Sequence, residues 1–313
     1  MKNIDKIPYR GIALATAVFA SQVLLASSAA IAAENGSTLW PEGALTVVTA
    51  ILPPPGATEF YQYNLYYSAS SFKNGQGQTV SPNIGIDAFG NANRIVHTWS
   101  VTYGGFNFST DVTMVSVGTT VKLGSALQDT NVGIDLFYVI PVEVTYQWGN
   151  VHFLAGTGVA IPVSSYDPTR LANASHNYYG INQTVAVTWF PSPKWELSAQ
   201  AEFTFNFRNP ATQYLSGDIF DMDFGIGYKP FDSLPGLQLG LNGFVAEQLT
   251  RDQTATRYVA GGNYFRKFAL GPQITYYLTP AAAIVLKWQR ELEVTNGPKG
   301  DRVWLEFAFP MGG

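Results

Sequence analysis

Cysteine is absent from all 313 residues, so neither a disulfide framework nor a thiolate metal site can be built. Charge is scarce too: 13% of the chain is Asp, Glu, Lys or Arg, against about 25% in an ordinary globular domain. The formal balance is −4, and it grows more negative once Lys2, Lys6, Arg10 and Asp5 near the N-terminus are set aside. That balance argues against a nucleic-acid partner. Histidine occurs only at His97, His152 and His176, too sparsely for a dense His and carboxylate metal site. Gly156-Thr157-Gly158 and Gly225-Ile226-Gly227 open no helix after a strand, so they are not nucleotide loops. In a barrel wall such glycines make room for a crowded lumen or a plug. No cofactor and no metal is expected. Past the first thirty-odd residues no apolar run reaches the 18 residues of a spanning helix, which removes a bundle of such helices.

What the chain has instead is alternation. From about Thr58 to Phe309, apolar and polar residues interleave in segments separated by connections that are alternately short and long. In the clearest, Trp195, Leu197, Ala199, Ala201, Phe203, Phe205 and Phe207 interleave with Glu196, Ser198, Gln200, Glu202, Thr204 and Asn206. One face suits lipid and the other water. Ahead of this region, basic residues precede an apolar run from Gly11 to about Leu25, and Ala30-Ile31-Ala32 offers a small-residue cleavage site, which reads as a secretory signal peptide.

Twelve strands are expected: Thr58–Ser68, Ala92–Tyr103, Asn107–Val121, Asn131–Trp148, Val151–Val163, Gly180–Phe190, Trp195–Phe207, Asp218–Tyr228, Leu237–Thr250, Asn263–Tyr277, Ala281–Val294 and Asp301–Phe309. Their lengths exceed the soluble mode of about 5 to 6 residues and suit tilted membrane strands. The fold class is therefore all-β, a transmembrane antiparallel up-and-down barrel, with a soluble β-sandwich as the rival. Both barrel ends return to the periplasm, and the stretches Ala69–Asn91 and Ser164–Tyr179 stand outside. Pro141 and Pro272 fall within strands and call for a bend or bulge. The chain divides into residues 1–32 as signal peptide, 33–57 as a periplasmic or plug segment, 58–309 as barrel and 310–313 as a short tail. In the second part Trp40, Leu45, Val48 and Ile51 are plug candidates for the periplasmic mouth, although the segment also reads as a mere tether.

Alternation nominates the lumen-facing groups: Glu196, Gln200, Glu202 and Asn206, then Asp221 and Asp223, then Lys287, Gln289, Glu291 and Glu293, then Arg302 and Glu306. Acidic groups facing Lys287 and Arg302 would form pairs across a filled or gated lumen. Trp99, Tyr103, Trp148, Trp189, Trp195, Tyr228, Tyr276 and Tyr277 would form a girdle near the periplasmic turns.

Several short motifs carry a resemblance. Pro53-Pro54-Pro55-Gly56 precedes an aromatic first strand; Tyr166-Asp167-Pro168, Asn177-Tyr178-Tyr179, Asn209-Pro210-Ala211-Thr212-Gln213-Tyr214 and Phe268-Ala269-Leu270-Gly271-Pro272 follow. With these the chain, from Pro53 to Phe309, resembles the MetA pathway of phenol degradation family of outer-membrane transporters. The resemblance implies a bacterial outer-membrane channel for small hydrophobic or aromatic compounds, reached after export, and not an enzyme of phenol breakdown. Partners would be outer-membrane lipid, a small hydrophobic or aromatic solute and the barrel-assembly machinery during insertion. The alternative is a structural barrel or an outer-leaflet lipid hydrolase using His97 and Ser116, if the register lets them meet.

Overall fold

The computed structural model describes residues 34–36, 38–80, 83–259, 261 and 263–312. The expected signal peptide, residues 1–32, lies outside these, as does Gly313.

Twelve antiparallel strands form a closed barrel: β1 (Thr58–Lys73), β2 (Ile84–Tyr103), β3 (Phe106–Leu123), β4 (Leu127–Trp148), β5 (Val151–Pro162), β6 (Gly180–Ser192), β7 (Trp195–Asn206), β8 (Ile219–Tyr228), β9 (Leu237–Gln248), β10 (Arg266–Thr279), β11 (Ala282–Thr295) and β12 (Gly297–Met311). Each strand pairs with its chain neighbours, and β1 pairs with β12 to complete the ring. Alternation decides which face is which. On β7, Glu196, Ser198, Gln200, Glu202, Thr204 and Asn206 are buried inside, while Trp195, Phe203 and Phe205 are exposed outside. A soluble sandwich would bury the apolar face; here that face is the exterior, as a lipid environment demands.

The outer hairpins differ from the expected long loops. β1 runs on to Lys73 and β2 begins at Ile84, so most of the stretch Ala69–Asn91 is strand. The Asn74 carboxamide oxygen accepts from the Gln76 and Gln78 amides and folds the chain back at once. β2, β3 and β4 have 20, 18 and 22 residues, whereas a tilted crossing needs about 9 to 11, so this side of the wall stands well above the bilayer. Long outer connections are confined to residues 163–179, 207–218 and 249–265. At the other end β12 reaches Met311, with Pro310 paired to Glu59, so the first half of the expected tail belongs to the wall.

Pro141 sits outward in a bulge: Ser109 and Asp111 face Glu143 and Ile140, leaving one surplus residue on β4. Pro272 breaks no register, for Leu270 faces Arg290 and Gln273 faces Lys287. The irregularity lies nearby, where Phe268 and Ala269 face Glu293 and Glu291. It corrects one expectation, because the surplus residue turns both Leu292 and Glu293 outward, and Glu293 meets Arg266 at 3.6 Å rather than the lumen. A second correction concerns the girdle. Tyr276 and Tyr277 are adjacent on β10 and cannot share a face; Tyr276 is exposed, while the Tyr277 hydroxyl points inward and donates to Glu196 at 3.1 Å.

Candidate functional site

The lumen is occupied by the chain's own N-terminal segment. From the start of β1 at the periplasmic end, where the Gly56 amide donates to the Thr98 carbonyl at 2.9 Å, the segment runs through the barrel to a 3₁₀ turn at Glu34–Gly36 among the outer connections. There Glu34 accepts from Thr212 at 2.5 Å, Asn209 at 2.7 Å and Tyr166 at 3.3 Å. The expectation placed this segment only at the periplasmic mouth. It goes deeper because its single mid-segment acid, Glu42, meets Lys267 at 3.1 Å and Arg302 at 2.9 Å, both buried on the inner wall. A buried charge without such partners would be strongly unfavourable.

Below Glu42 the backbone itself is held. Asp223 accepts from the amides of Gly43 at 2.6 Å and Leu45 at 2.8 Å. Lys287 donates to the Ala44 carbonyl at 2.6 Å, and Gln289 to the Gly43 carbonyl at 3.0 Å. Thr46 donates to Gln273 at 2.6 Å, the Val48 amide to Glu196 at 2.7 Å and the Ala50 amide to Thr188 at 3.1 Å. A non-hydrogen-bonded backbone could not be buried here; the inward polar residues of the wall supply what a neighbouring strand would otherwise give. Gly225 makes the approach possible, because a Cβ there would lie 2.0 Å from the Thr46 carbonyl oxygen.

The opposite wall is different in kind. Where β1 to β4 face the segment, contacts are apolar: Leu39 packs with Leu136, Tyr138 and Ile140, and Leu45 with Tyr63 and Ala92, joined from β12 by Trp304. The Trp40 ring meets Tyr138 edge-on at 5.1 Å. Three cavities lie beside the segment, the first two mainly along this side and the third also against β10, β11 and β12. An outer one of about 230 Å³ is lined by Leu65, Ile86, Ala88, Val115 and Val117 among others. A small one of about 30 Å³ lies beside Trp40 and Tyr138, and one of about 330 Å³ opens beside Val47, Ile51, Leu52 and Tyr61 toward the periplasm.

The family described as "Putative MetA-pathway of phenol degradation" matches residues 69–307. The chain belongs to this family. Among solved structures, the COG4313 outer membrane channel from Pseudomonas putida F1 is similar in fold, with a TM-score of 0.73 at 16% identity over 84% of this chain and 98% of that one. The NanC porin aligns with a TM-score of 0.43 at 11% identity over 80% of this chain and 100% of that one. The TodX deltaS2S3 mutant monoaromatic hydrocarbon channel aligns with a TM-score of 0.46 at 9% identity over 91% and 96%. No curated protein matches the chain in sequence. With its closed twelve-stranded wall and apolar exterior, this MetA-pathway family barrel resides in the bacterial outer membrane.

In the family barrel eleven of the twelve nominated lumen groups are buried, all but Glu293: Glu196, Gln200, Glu202, Asn206, Asp221, Asp223, Lys287, Gln289, Glu291, Arg302 and Glu306. Glu196, Asp223, Lys287, Gln289 and Arg302 bond the segment directly. The expected cross-lumen pairs are instead wall pairs between β11 and β12: Lys287 with Glu306 at 2.7 Å, and Arg302 with Glu291. The pairing that crosses the lumen goes to Glu42, which the sequence reading passed over in favour of apolar neighbours. Gln200 donates to Glu202 at 2.6 Å, and Asn206 turns up to the Gly217 carbonyl at 2.8 Å. Asp221 faces Glu202 in the ladder, and among the described residues neither of its carboxylate oxygens has a hydrogen-bond partner. Of the plug candidates, Leu45 is buried, Trp40, Val48 and Ile51 are half-buried, and Val48 adopts a φ of 41°. Reasoning from sequence also missed Lys267 and the buried trio on β2, β3 and β4, where Arg94 meets Asp111 at 2.6 Å and Glu143 at 3.7 Å. Their alternation was legible, but attention rested on β7, β8, β11 and β12.

The hydrolase pair does not form. His97 and Ser116 both face outward, but His97 lies opposite Thr110 and Ser116 opposite Asn91, six residues further along β3, about 20 Å away at strand rise. His97 instead shares a hydrogen bond with Thr58 at 2.9 Å. His176, within the stretch Ser164–Tyr179 expected to stand outside, is half-buried and meets Asp135 at 2.8 Å. Burial alone would lower its pKa, but the Asp135 charge and hydrogen bond outweigh it and raise the pKa above the usual value.

Proposed function

We propose that the protein is a passive outer-membrane channel for small hydrophobic or aromatic compounds, with residues 34–57 acting as a resident plug and no catalytic step. One observation carries the reading: the space left beside the segment is lined mainly by apolar side chains, in cavities of about 230 and 330 Å³ at the outer and periplasmic ends. An open, water-filled porin lumen would serve sugars; apolar pockets flanking a filled lumen serve solutes that leave water readily. Family membership and the fold shared with the COG4313 channel support the same reading.

The lumen groups Glu196, Asp223, Lys287, Gln289 and Arg302 then act by holding the plug, and Gln200, Glu202, Asn206, Asp221, Glu291 and Glu306 complete the polar interior around it. The test is permeation into liposomes carrying the purified barrel, with sugars and small aromatics of similar size and protein-free vesicles to subtract leak. Selective aromatic uptake is the expected result. General uptake would make it a porin. No uptake by an inserted barrel would favour the purely structural reading, which the dense network about Glu42, Lys287 and Arg302 also suits.

A further inference from the structure

We propose that the outer cavity is a capture site for an uncharged single-ring aromatic molecule, which then descends beside a stationary N-terminal segment, past a gate formed by Trp40, along β1–β4 in the outer half and along β1, β2, β11 and β12 toward the periplasm. The proposal rests on the channel reading above and says where the path runs, what moves and which charge state is accepted.

Over residues 42–50 the segment is anchored on one side only. Among the described residues, every side-chain hydrogen bond and ion pair from the wall to residues 42–50 comes from β6 to β12. Withdrawing it would strip Lys267, Lys287 and Arg302 of partners inside the barrel, the most unfavourable change available there. Against β1 to β4 it offers only packing, which a ring-sized solute can replace with packing of its own. The Trp40 indole is held by ring contact with Tyr138 and neighbouring apolar groups, so its rotation breaks no hydrogen bond among the described residues.

The cavities are contiguous in their linings. The outer and small cavities share Leu39, Trp40 and Pro41; the small and periplasmic ones share Ala44, Leu45, Tyr63 and Arg94. Trp40 therefore stands between capture and descent. The outer volume of about 230 Å³ exceeds the roughly 150 Å³ that suffices to hold benzene, leaving room for one ring with a small substituent.

Charge selects further. The ionisable groups lining the outer cavity are Glu42, Tyr67, Asp135, His176, Lys267 and Arg302, with the Tyr67 hydroxyl donating to Glu291 at 3.2 Å. Lys267 and Arg302 are satisfied by Glu42 and Glu291, and His176 meets Asp135. A ligand carboxylate would find each cation already engaged and would enter beside Glu42, whereas a phenol brings no charge to desolvate.

The experiment uses the purified full chain, with phenol and benzoate as probes for calorimetric binding and a pentose added for liposome uptake. Saturable phenol binding is expected, with benzoate at least about tenfold weaker at neutral pH. Val117→Trp, which fills the cavity, should weaken phenol binding and slow phenol uptake by about tenfold. Trp40→Ala should speed phenol uptake and leave pentose uptake unchanged. Folding is checked by the heat-dependent gel shift, and Ala88→Leu on the adjacent strand replaces Val117→Trp if that variant fails to fold. Unaltered phenol binding in the filled variant, equal binding of benzoate, or a parallel rise of pentose and phenol in Trp40→Ala would overturn the proposal. Phenol uptake by the parent protein that ignores both cavity substitutions sinks this path alone. Absence of aromatic uptake in the parent sinks the channel reading, and binding then judges the capture site by itself.

Discussion

A single missing Cβ lets the backbone of the segment close against the wall at Gly225. With Gly225 replaced by Val, side-chain atoms would occupy the space of the Thr46 carbonyl; overpacking of this kind costs about 1–3 kcal/mol, and displacing the segment is the way to avoid it. Gly225→Val should therefore raise pentose uptake, measured by liposome swelling, while the barrel still folds. The exterior obeys the opposite rule. Leu286, half exposed on β11, should lose about 2–4 kcal/mol of stability on replacement by Arg if it lies near mid-membrane, read from denaturant unfolding in vesicles. At this scale the sequence was legible wherever alternation ran unbroken: Lys287, Gln289, Glu291, Arg302 and Glu306 face inward as period two requires. It failed at Glu293, where a bulge shifts the phase, and at Tyr277, where a preference for aromatics at the girdle was put above the period itself.

Among the elements, the segment before β1 carries most of the functional argument and was the least legible. Its apolar residues marked it as something other than a linker, but its depth depends on Glu42 finding Lys267 and Arg302 over 220 residues away in sequence, and no local pattern reports that. Deleting residues 34–52 should give large, nonselective permeability; unchanged pentose flux would remove the plug role. The outer clasp adds a pH dependence. Burial raises the pKa of Glu34, its hydrogen bonds from Thr212, Asn209 and Tyr166 only partly opposing this, and the His176 pKa is also raised. Both shifts mean that the docked state binds more protons than the undocked one, so docking is strongest at pH below the usual carboxyl and imidazole values and weakens as pH rises through the raised ones. Limited proteolysis of residues 163–179 should accelerate as pH rises from about 6 through neutrality, and His176→Gln should flatten the His176 part of that profile. The strand set itself was readable because each strand repeats its signal over many residues, whereas the height of the β2–β3–β4 wall was not, since above the bilayer the outward face turns polar, with Asp87, Ser116, Thr120 and Lys122, while Ile86, Ala88, Val115 and Val117 face inward, and the lipid-driven contrast is lost.

The molecule as a whole is a two-sided container: β6 to β12 act as a polar cradle that bonds the segment, while β1 to β4 meet it by packing and keep their buried charges, Arg94, Asp111 and Glu143, paired among themselves. Amides held in a cradle should exchange with solvent as slowly as those of the wall. In hydrogen–deuterium exchange on the reconstituted protein, peptides covering Gly43, Leu45, Val48 and Ala50 should be protected like β7 and β8 peptides. Exchange at the rate of the outer connections would show that the segment is not fixed.

A thread that enters at the periplasmic rim and ends among the outer connections also imposes a chronology. The β1–β12 ladder, from Thr58 opposite Met311 to Lys73 opposite Gly297, is the seam that shuts the cylinder. Once it is shut, the thread would have to be drawn upward through a crowded bore, dragging Glu42 past each buried charge in turn. Laying the thread along an open, curved half-sheet first, and zipping the seam over it last, avoids that passage. The segment is then a mould for the growing wall before it is ever a stopper.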